Sequence, residues 1–287
     1  MSDEEDEKPE PVESHERKFT YPPDFMDPGL PSGVMSPSQF DTYRKCPRRY
    51  EFRHIHKLIS PPGVAMIKGT AVHKGAEVTH RQTLATGKPL GLVEATQAVS
   101  DSFDHETPNI EDWGEEKPGL IKDKALRAFT VYYREAVPNI HPVKVEHTFA
   151  KKIGTVPFRG VIDLVDSVKE EAFVEGVQPM VEVVSDLKVT GMRWPEQRVR
   201  QSAQLTFYAY VEETFRVRYD FILEQKSGIK YDLNRSVRTA HDFKLLIEDV
   251  EEVADLIKKG IFPRCDGTGW NCTPKFCGYY ERCKGPK

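Results

Sequence analysis

Three charged residues in the middle of the chain, Asp163, Asp186 and Lys188, have the types and spacing of a metal site. Both carboxylates fall in or at the ends of runs that read as strands, where acidic residues are disfavoured. Lys188 follows Asp186 by two positions, so on a strand both side chains point to the same face. Two carboxylates and the backbone carbonyl of Leu187 would hold Mg²⁺ and leave room for a phosphate and an attacking water. Lys188 would orient that water and stabilise charge on the phosphate.

The same residues also have a plainer interpretation. Asp163 and Asp186 could be strand-end acids that pair with Arg159 and Lys188, and triplets of the form D-x-K are common. The local pattern alone favours this alternative, so the choice depends on what surrounds the three residues.

The surrounding stretch predicts the strands that position these residues. Residues 143–168 form apolar runs on either side of a turn at Gly154, which is typical of a β-hairpin. A polar insertion separates this hairpin from a third strand at 181–191. Later, FILEQK and IKYDLNRSV flank a Ser227-Gly228 turn and predict a second hairpin that extends the sheet.

Helical patterns flank these strands. Ser36-Pro37-Ser38-Gln39 is a capping box with proline at the first helical position, and an amphipathic run follows to about His56, with a kink at Cys46-Pro47. Further helices are predicted at 66–84, 92–103, 120–137, 195–215 and 240–259. The last one has an apolar stripe that would cover the core. The region at about 90–137 carries no chemical motif and predicts a helical insertion beside the sheet.

Two of these helices carry side chains suited to the site. Gly69, His73 and Glu77 are spaced four apart on one helical face, where the glycine would let another backbone approach and His73 would face the carboxylates. Gln204 and Tyr208 share one face of a later helix. Taken alone, the histidine is more simply a hydrogen-bonded surface residue, and the later helix is equally well an ordinary amphipathic one.

Three of the five cysteines, Cys272, Cys277 and Cys283, lie in one short stretch, WNCTPKFCGYYERCKG. A loop too small to have its own core, yet carrying three thiols, implies a metal that holds it. Cys265 offers a fourth ligand for a local zinc site, and Cys46 lies at the helix kink, where a thiol is well presented to a metal. Unpaired reduced thiols are the plainer alternative.

Four short motifs, taken in order, resemble the PD-(D/E)XK nuclease superfamily and specifically its RecB-like branch. They are G-x-x-x-H at 69–73, G-x-x-D at 160–163, D-x-K at 186–188 and Q-x-x-x-Y at 204–208. The resemblance spans roughly residues 34–285 and implies an α/β fold whose mixed sheet is flanked by helices. It also implies Mg²⁺- or Mn²⁺-dependent hydrolysis of DNA from its ends, with His73 binding or adjoining the metal and with Gln204 and Tyr208 lining the site.

Some RecB-like nucleases place three C-terminal cysteines and one from the opening helix around an iron–sulfur cluster. By this resemblance, the ligands of a [4Fe-4S] cluster would be Cys46, Cys272, Cys277 and Cys283. Four residues separate the first two C-terminal cysteines here, where the family commonly has two. The zinc alternative, with Cys265 in place of Cys46, therefore stays open.

Basic residues are clustered, although the net charge of the chain is −4. That overall charge gives no attraction to nucleic acid, so any contact would depend on local patches. In the first helix, aromatic and basic residues are interleaved, which suits base stacking with phosphate contact or, equally, a core face with solvated arginines. The arginines predicted to contact DNA are Arg44, Arg48, Arg49, Arg193 and Arg198.

Composition completes the predicted organisation. Residues 1–33 are acidic and poor in large apolar residues, which predicts a disordered tail with YPPDFMDPGLP as an extended lead-in. Residues 34–264 would form the nuclease domain and residues 265–287 a metal-pinned cap. No apolar run approaches the ~20 residues that span a bilayer, and no signal peptide is seen. We therefore expect a soluble protein in the cytoplasm of a bacterium or a phage-infected cell.

The expected activity is that of an exonuclease acting on single-stranded DNA or on DNA with free ends, in phage or bacterial recombination or repair. The chain contains no Walker A sequence, so a helicase would be a separate partner. Two other classes stay open. One is a catalytically inactive module that binds DNA ends, and the other is a zinc-pinned interaction module that recruits partners.

Overall fold

The computed structural model describes residues 19, 21, 22, 24–60, 62–169 and 179–285. Within these residues one sheet is formed by β1 (Pro142–Ile153), β2 (Val156–Lys169), β3 (Met180–Thr190), β4 (Arg216–Gln225) and β5 (Gly228–Val237). The helices are α1 (Pro37–Lys45), α2 (Pro47–Tyr50), α3 (Val64–Thr86), α4 (Leu92–Glu106), α5 (Pro118–Glu135), α6 (Glu196–Arg200), α7 (Ala203–Val211), α8 (Ala240–Lys258) and α9 (Tyr280–Lys284). This arrangement confirms the predicted α/β class, a mixed sheet flanked by helices.

The strands lie side by side in chain order, and β2 and β3 are paired along only part of their length. All neighbouring pairs are antiparallel except β3 and β4, which are parallel and are joined through α6 and α7, as a parallel pair requires a crossover. Pairing of β2 with β3 ends at Leu164 and Ser185. Beyond these residues β2 continues along β1, and β3 continues along β4. Asp163 and Asp186 are therefore the first residues past a fork in the sheet.

Each face of the sheet has its own hydrophobic core. One face packs against α1, α7 and α8, with buried residues that include Phe40, Phe158, Phe207 and Val250. The opposite face packs against α3, α4 and α5, with Val72, Val99, Phe129 and Leu187 among its buried residues. The segment predicted as an insertion at about 90–137 thus supplies two of the three helices that cover one face.

Local signals explain where two helices begin. Ser36 accepts a hydrogen bond from the amide of Gln39, whose side chain accepts one from the amide of Ser36, so the predicted capping box is confirmed. Thr239 and Asp242 form the same motif at the start of α8. The predicted apolar stripe of α8 is buried at Leu246, Val250, Val253 and Ile257.

Of two helices expected as single runs, the first is interrupted where a kink was predicted, at Cys46-Pro47, and the second is interrupted where no break was predicted. The amphipathic run expected to reach about His56 ends at Lys45, and Pro47 then begins α2, because proline cannot donate the hydrogen bond that would continue α1. The segment predicted as one helix at 195–215 is divided into α6 and α7. Ser202 separates them and caps α7 by accepting a hydrogen bond from the amide of Leu205 at 3.3 Å.

Two further expectations are wrong. The lead-in to the first helix is not simply extended, because it turns where the amide of Leu30 donates to the carbonyl of Asp27 at 3.0 Å, and Phe25 and Leu30 are buried. No described atom lies within 4 Å of a Cβ placed on Gly69, so no other backbone approaches there. The tail predicted to be disordered spans residues 1–33, of which residues 1–18, 20 and 23 lie outside the described residues, as does the polar insertion at 170–178. Among the helices that are described, none is long and apolar enough to cross a membrane.

A buried ionic network joins the central strands on the face covered by α3, α4 and α5. Arg218 is 3% exposed and donates to Asp166 at 2.9 Å and to Asp220 at 3.0 Å. The hydroxyl groups of Ser185 and Tyr231 also donate to Asp220. These hydrogen bonds connect β2, β3, β4 and β5 to one another. Ser185, which belongs to the network, is the residue before Asp186.

Close packing of α3 against its neighbours predicts an effect on stability. A Cβ added at Gly75 would lie 2.4 Å from Cγ2 of Val99 and 2.8 Å from the ring of Phe129. We expect Gly75→Ala to lower the free energy of unfolding by about 1–3 kcal/mol, because these buried side chains must shift. Gly69→Ala in the same helix is the control, and alanine's higher helix propensity should raise stability there by about 0.5–1 kcal/mol. Urea denaturation measures the free energy of unfolding of both variants. The same change in both would contradict the packing argument.

Candidate active site

The fork between β2 and β3 brings charged and polar residues of four elements together. Nδ1 of His73, on α3, lies 3.2 Å from Oδ2 of Asp163, on β2. On β3, Lys188 forms an ion pair with Asp186. From α7, Nε2 of Gln204 donates to Oδ1 of Asp186 at 2.6 Å. Residues separated by up to 131 positions in the chain thus form one connected cluster.

Tyr208 and the backbone of Leu187 complete the cluster. Nε2 of Gln204 also lies 3.1 Å from the hydroxyl of Tyr208, and the amide of Leu187 donates to Oδ2 of Asp163 at 3.4 Å. The plainer interpretation of the carboxylates holds in part, because Asp186 does pair with Lys188. The predicted site residues that the structure brings together are His73, Asp163, Asp186, Leu187, Lys188, Gln204 and Tyr208.

Burial and mutual charge set the pKa values of the cluster. Burial, with the nearby charge of Asp163, raises the pKa of Asp186 to about 6 against the opposing attraction of Lys188. Burial also disfavours the charged forms of Asp163 and His73. Their hydrogen bond and opposite charges outweigh it, so the pKa of Asp163 is lowered and that of His73 is raised.

The donor atoms of the cluster suit a hard divalent cation. Burial and, to a smaller extent, the charge of Asp163 raise the pKa of Asp186, and a cation beside its carboxylate would favour the charged form. Among the described residues, no three His, Cys, Asp or Glu side chains are arranged as the ligands of one metal ion. Because Lys188 pairs with Asp186, binding requires that carboxylate to exchange this partner for the metal.

The chain matches a family model over most of its length. The model is described as the PD-(D/E)XK nuclease superfamily and matches residues 34–284. The chain belongs to the PD-(D/E)XK nuclease superfamily. This confirms the family predicted from the four motifs, and nucleases of this superfamily generally use divalent metals such as Mg²⁺.

Relatives of this PD-(D/E)XK chain include two phage proteins. Gene 69 protein of Mycobacterium phage L5 is 32% identical over 87 residues, which cover 28% of this chain and 30% of that protein. Gene 69 protein of Mycobacterium phage D29 is 35% identical over 105 residues, which cover 34% of this chain and 39% of that protein. The chain thus spans about a third of the length of these curated relatives.

A solved structure shares the PD-(D/E)XK fold of the chain. It is a protein from Eubacterium rectale named "Putative exonuclease", with a TM-score of 0.50 and 13% sequence identity over 83% of this chain and 86% of that one. At this identity the likeness shows the fold alone.

The raised pKa of Asp186 predicts how the stability of the metal-free PD-(D/E)XK domain depends on pH. The folded state binds this proton more tightly than the unfolded state, so the stabilisation it gives is lost as the pH rises from 3.8 through about 6. Over that range, with EDTA present, we expect the free energy of unfolding of the parent to fall relative to that of Asp186→Asn. Denaturation series at several pH values measure the difference, and parallel profiles would contradict the assignment.

All five cysteines line one cavity. Cys46 lies between α1 and α2, and the others come from the C-terminal segment. That segment is docked on the residues after α2, because the hydroxyl of Tyr279 donates to the carbonyl of Leu58 at 2.8 Å. No two of these cysteines form a disulfide. The predicted cluster ligands and Cys265, the ligand of the zinc alternative, therefore face a common space.

The arginines predicted on the first helix are divided between two environments. Arg48 and Arg49 line the cysteine cavity, whereas Arg44 is exposed and pairs with an aspartate of α8. Tyr43 and Tyr50 are 3% and 1% exposed and belong to a core face, whereas Phe52 is only partly buried. Contact of the three arginines with DNA stays a prediction.

The two later arginines lie before and on α6 and are exposed. Arg193 forms an ion pair with Asp232 at 3.3 Å. The guanidinium carbon of Arg198 lies 3.7 Å from the ring centre of Trp194, so its side chain is held in one direction by stacking. A phosphate contact by either arginine stays a prediction.

Three residues near the site were missed by the sequence reasoning. Glu146 has φ of 47°, which a non-glycine residue rarely adopts, and it lines a cavity with His73 and Asp163. Asp220 and Tyr219 lie on β4, whose predicted start was Phe221. Asp220 lies between two aromatic residues in R-V-R-Y-D-F, and an acid within such a strand-forming run could have indicated this part of the strand. The acid Asp163 in an apolar run was interpreted in the same way. No sequence signal indicated the left-handed backbone conformation of Glu146.

Proposed function

We propose that the chain is a divalent-metal-dependent DNA exonuclease of the RecB-like branch. The observation that carries this proposal is the cluster at the fork, where Asp163, Asp186 and Lys188 meet His73 and Gln204. Membership of the PD-(D/E)XK superfamily supports hydrolysis of phosphodiester bonds. The substrate would be DNA that is single-stranded or has free ends.

Asp163 and Asp186, with the backbone carbonyl of Leu187, would hold Mg²⁺ or Mn²⁺, and His73 would bind or adjoin it. When bound, the cation supplies Lewis-acid activation of the scissile phosphate and of an attacking water. Lys188 places its ammonium group beside Asp186, where it would stabilise negative charge on the phosphate and orient the water. Only the carboxylate form of Asp186 can serve as a ligand.

Gln204 and Tyr208 are proposed to support this arrangement from α7. The amide of Gln204 holds one carboxylate oxygen of Asp186, and the hydroxyl of Tyr208 lies within reach of the same amide. Tyr208 is 6% exposed, so this contact is shielded from water. The pair would fix the direction of the Asp186 carboxylate. Arg193 and Arg198 are the exposed candidates for phosphate contact.

Two of the comparisons support the exonuclease and phage aspects of the proposal. The solved structure that shares the fold has the word exonuclease in its name, and the curated relatives are proteins of mycobacteriophages. We propose a role in phage or bacterial recombination or repair, in which a separate helicase or recombination protein supplies the DNA end.

The decisive experiment compares a DNA that has free ends with a DNA of the same sequence that has none. A linear DNA labelled at one end and a covalently closed circle of the same sequence are incubated with the protein in Mg²⁺, Mn²⁺ or EDTA. We expect shortening of the linear DNA in metal alone and no cutting of the circle. Nicking of the circle would replace the exonuclease with an endonuclease. Binding of ends without cutting in either metal would overturn the enzyme proposal in favour of an inactive end-binding module.

We also propose a [4Fe-4S] cluster held by the four cysteines of the resemblance, Cys46, Cys272, Cys277 and Cys283. The common cavity supports it, since Cys46 joins residues more than 200 positions later in the chain. An anaerobic preparation should contain iron and sulfide in equal amounts. Zinc without sulfide would overturn the cluster in favour of the Cys265 alternative, and Cys265→Ser would then release metal where Cys46→Ser would not.

A further inference from the structure

We propose that Tyr219 of β4 is a positioning residue that aligns Lys188 with the helix carrying Gln204. The inference rests on the function proposed above and assigns to Tyr219 a role that the four motifs do not contain. It follows from three contacts made by the side chain of Tyr219: with Lys188, with Ser202 and with Trp194.

The ring of Tyr219 lies beneath the ammonium group of Lys188. Asp186 and Tyr219 are register partners across the parallel pair of β3 and β4. Nζ of Lys188 lies 5.6 Å from the centre of the ring, within the range of a cation–π contact. A lysine side chain has much rotational freedom, so a fixed aromatic surface beneath Nζ narrows the positions it can take.

The hydroxyl group of Tyr219 contacts the start of α7. It shares a hydrogen bond with Oγ of Ser202 at 2.7 Å, and Ser202 is the N-cap of α7. Gln204 follows two residues later and donates to Asp186 at 2.6 Å. One side chain therefore contacts both the lysine of β3 and the cap of the helix that holds Asp186 from the other side.

The ring of Tyr219 is also packed against Trp194. Trp194 packs edge-to-face on Tyr219, with ring centres 5.1 Å apart, and Tyr219 is only 2% exposed. Arg198 stacks on the same Trp194. Tyr219 thus has little room to move, which a positioning role requires. A buried aromatic with only a packing role would not need a polar contact to a helix cap and a charged contact to Lys188 together.

Two substitutions separate the ring from the hydroxyl group. Tyr219→Phe keeps the surface beneath Lys188 and removes the bond to Ser202, so we expect kcat for DNA cleavage to fall by about 2–10-fold. Tyr219→Leu removes both, and we expect a fall of about 10–100-fold with KM nearly unchanged, because only the alignment of reacting groups is lost. Unchanged kcat in Tyr219→Leu would overturn the inference.

A matched control tests whether the loss comes from the site or from a weakened core. Tyr43 is also a buried tyrosine of the same core, and its hydroxyl donates to the carbonyl of Ile261 at 2.6 Å. Tyr43→Leu should lower the thermal midpoint as Tyr219→Leu does, while kcat stays at the parent value. An equal fall of kcat in both variants would show that Tyr219 has only a packing role.

A double-variant cycle keeps the test informative if Tyr219→Leu does not fold. If Tyr219 acts on α7 through Ser202, adding Ser202→Ala to Tyr219→Phe should lower kcat no further than the larger single effect. Fully additive effects would overturn that part of the inference. A parent protein that cuts no DNA in metal would overturn the proposed function and this inference with it. A parent that cuts, with Tyr219 variants that cut equally well, would overturn this inference alone.

Discussion

Asp186→Asn is expected to lower the rate of metal-dependent DNA cleavage by about 10³-fold or more. Asparagine keeps the shape of the side chain and can still hydrogen-bond with Gln204. It loses the negative charge that would bind the cation and that now pairs with Lys188. Because the substitution removes a buried charge whose pKa is raised, the fold should be at least as stable above pH 6.

The measurement is kcat at saturating Mg²⁺ on end-labelled DNA, with DNA binding in EDTA measured alongside. Asp104→Asn is the matched control, since Asp104 is exposed on α4 and pairs only with Lys122 at the surface among the described residues. The control should cleave at the parent rate, and Asp186→Asn should still bind DNA. Cleavage by Asp186→Asn within tenfold of the parent would remove this carboxylate from the site.

Arg218→Met is expected to lower the free energy of unfolding by about 3–5 kcal/mol. Arg218 bridges Asp166 and Asp220, whose side chains are 0% and 1% exposed, so its removal leaves two buried carboxylates without their cation. The guanidinium group owes its raised pKa to these two charges, which outweigh the cost of its burial. Methionine fills a similar volume, so the loss would come from charge and not from a cavity.

Chemical denaturation of four proteins separates these causes. Arg134→Met, at an exposed position of α5, should change stability by no more than about 0.5 kcal/mol. Arg218→Met combined with Asp166→Asn and Asp220→Asn should recover much of the loss, because no buried charge is then left unpaired. If the triple variant is as unstable as Arg218→Met alone, the ionic network does not explain the effect.

Much of the fold could be predicted because its signals are local. The hairpin of β1 and β2 follows from apolar runs around Gly154, and the first helix from the capping box at Ser36. The shared face of Asp186 and Lys188 follows from their spacing alone, and their ion pair agrees with it. These features depend on residues within a few positions of one another.

The parts that could not be predicted depend on residues far apart in the chain. The strand that contains Arg218 and Asp220 was expected to begin only at Phe221, whereas it begins at Arg216. Their burial is possible because Asp166, 52 positions away from Arg218, completes the charge balance. The break before α7 likewise depends on Ser202, whose partner Tyr219 lies on the next strand.

In the candidate site, too, some residues could be predicted from local patterns and others could not. The order of four motifs indicated which residues meet, and the structure brings them together at the fork. Tyr219 was missed because its contact with Lys188 depends on the register between β3 and β4, which no local pattern contains. Glu146 was missed because it has a positive φ at a position where the sequence has neither the glycine nor the asparagine that usually signals one.

The docking of the first helix against the end of the domain has a consequence for synthesis on the ribosome. The hydroxyl of Tyr43 donates to the carbonyl of Ile261, 218 positions later, and Phe40 packs on Phe207 of α7. At about 5–20 residues per second, a ribosome needs roughly 10–45 s to make the chain between Tyr43 and Ile261. The apolar face of α1 therefore emerges long before its partners exist. During that time it stays exposed to water, and it is fully covered only after the chain through Ile261 has been made.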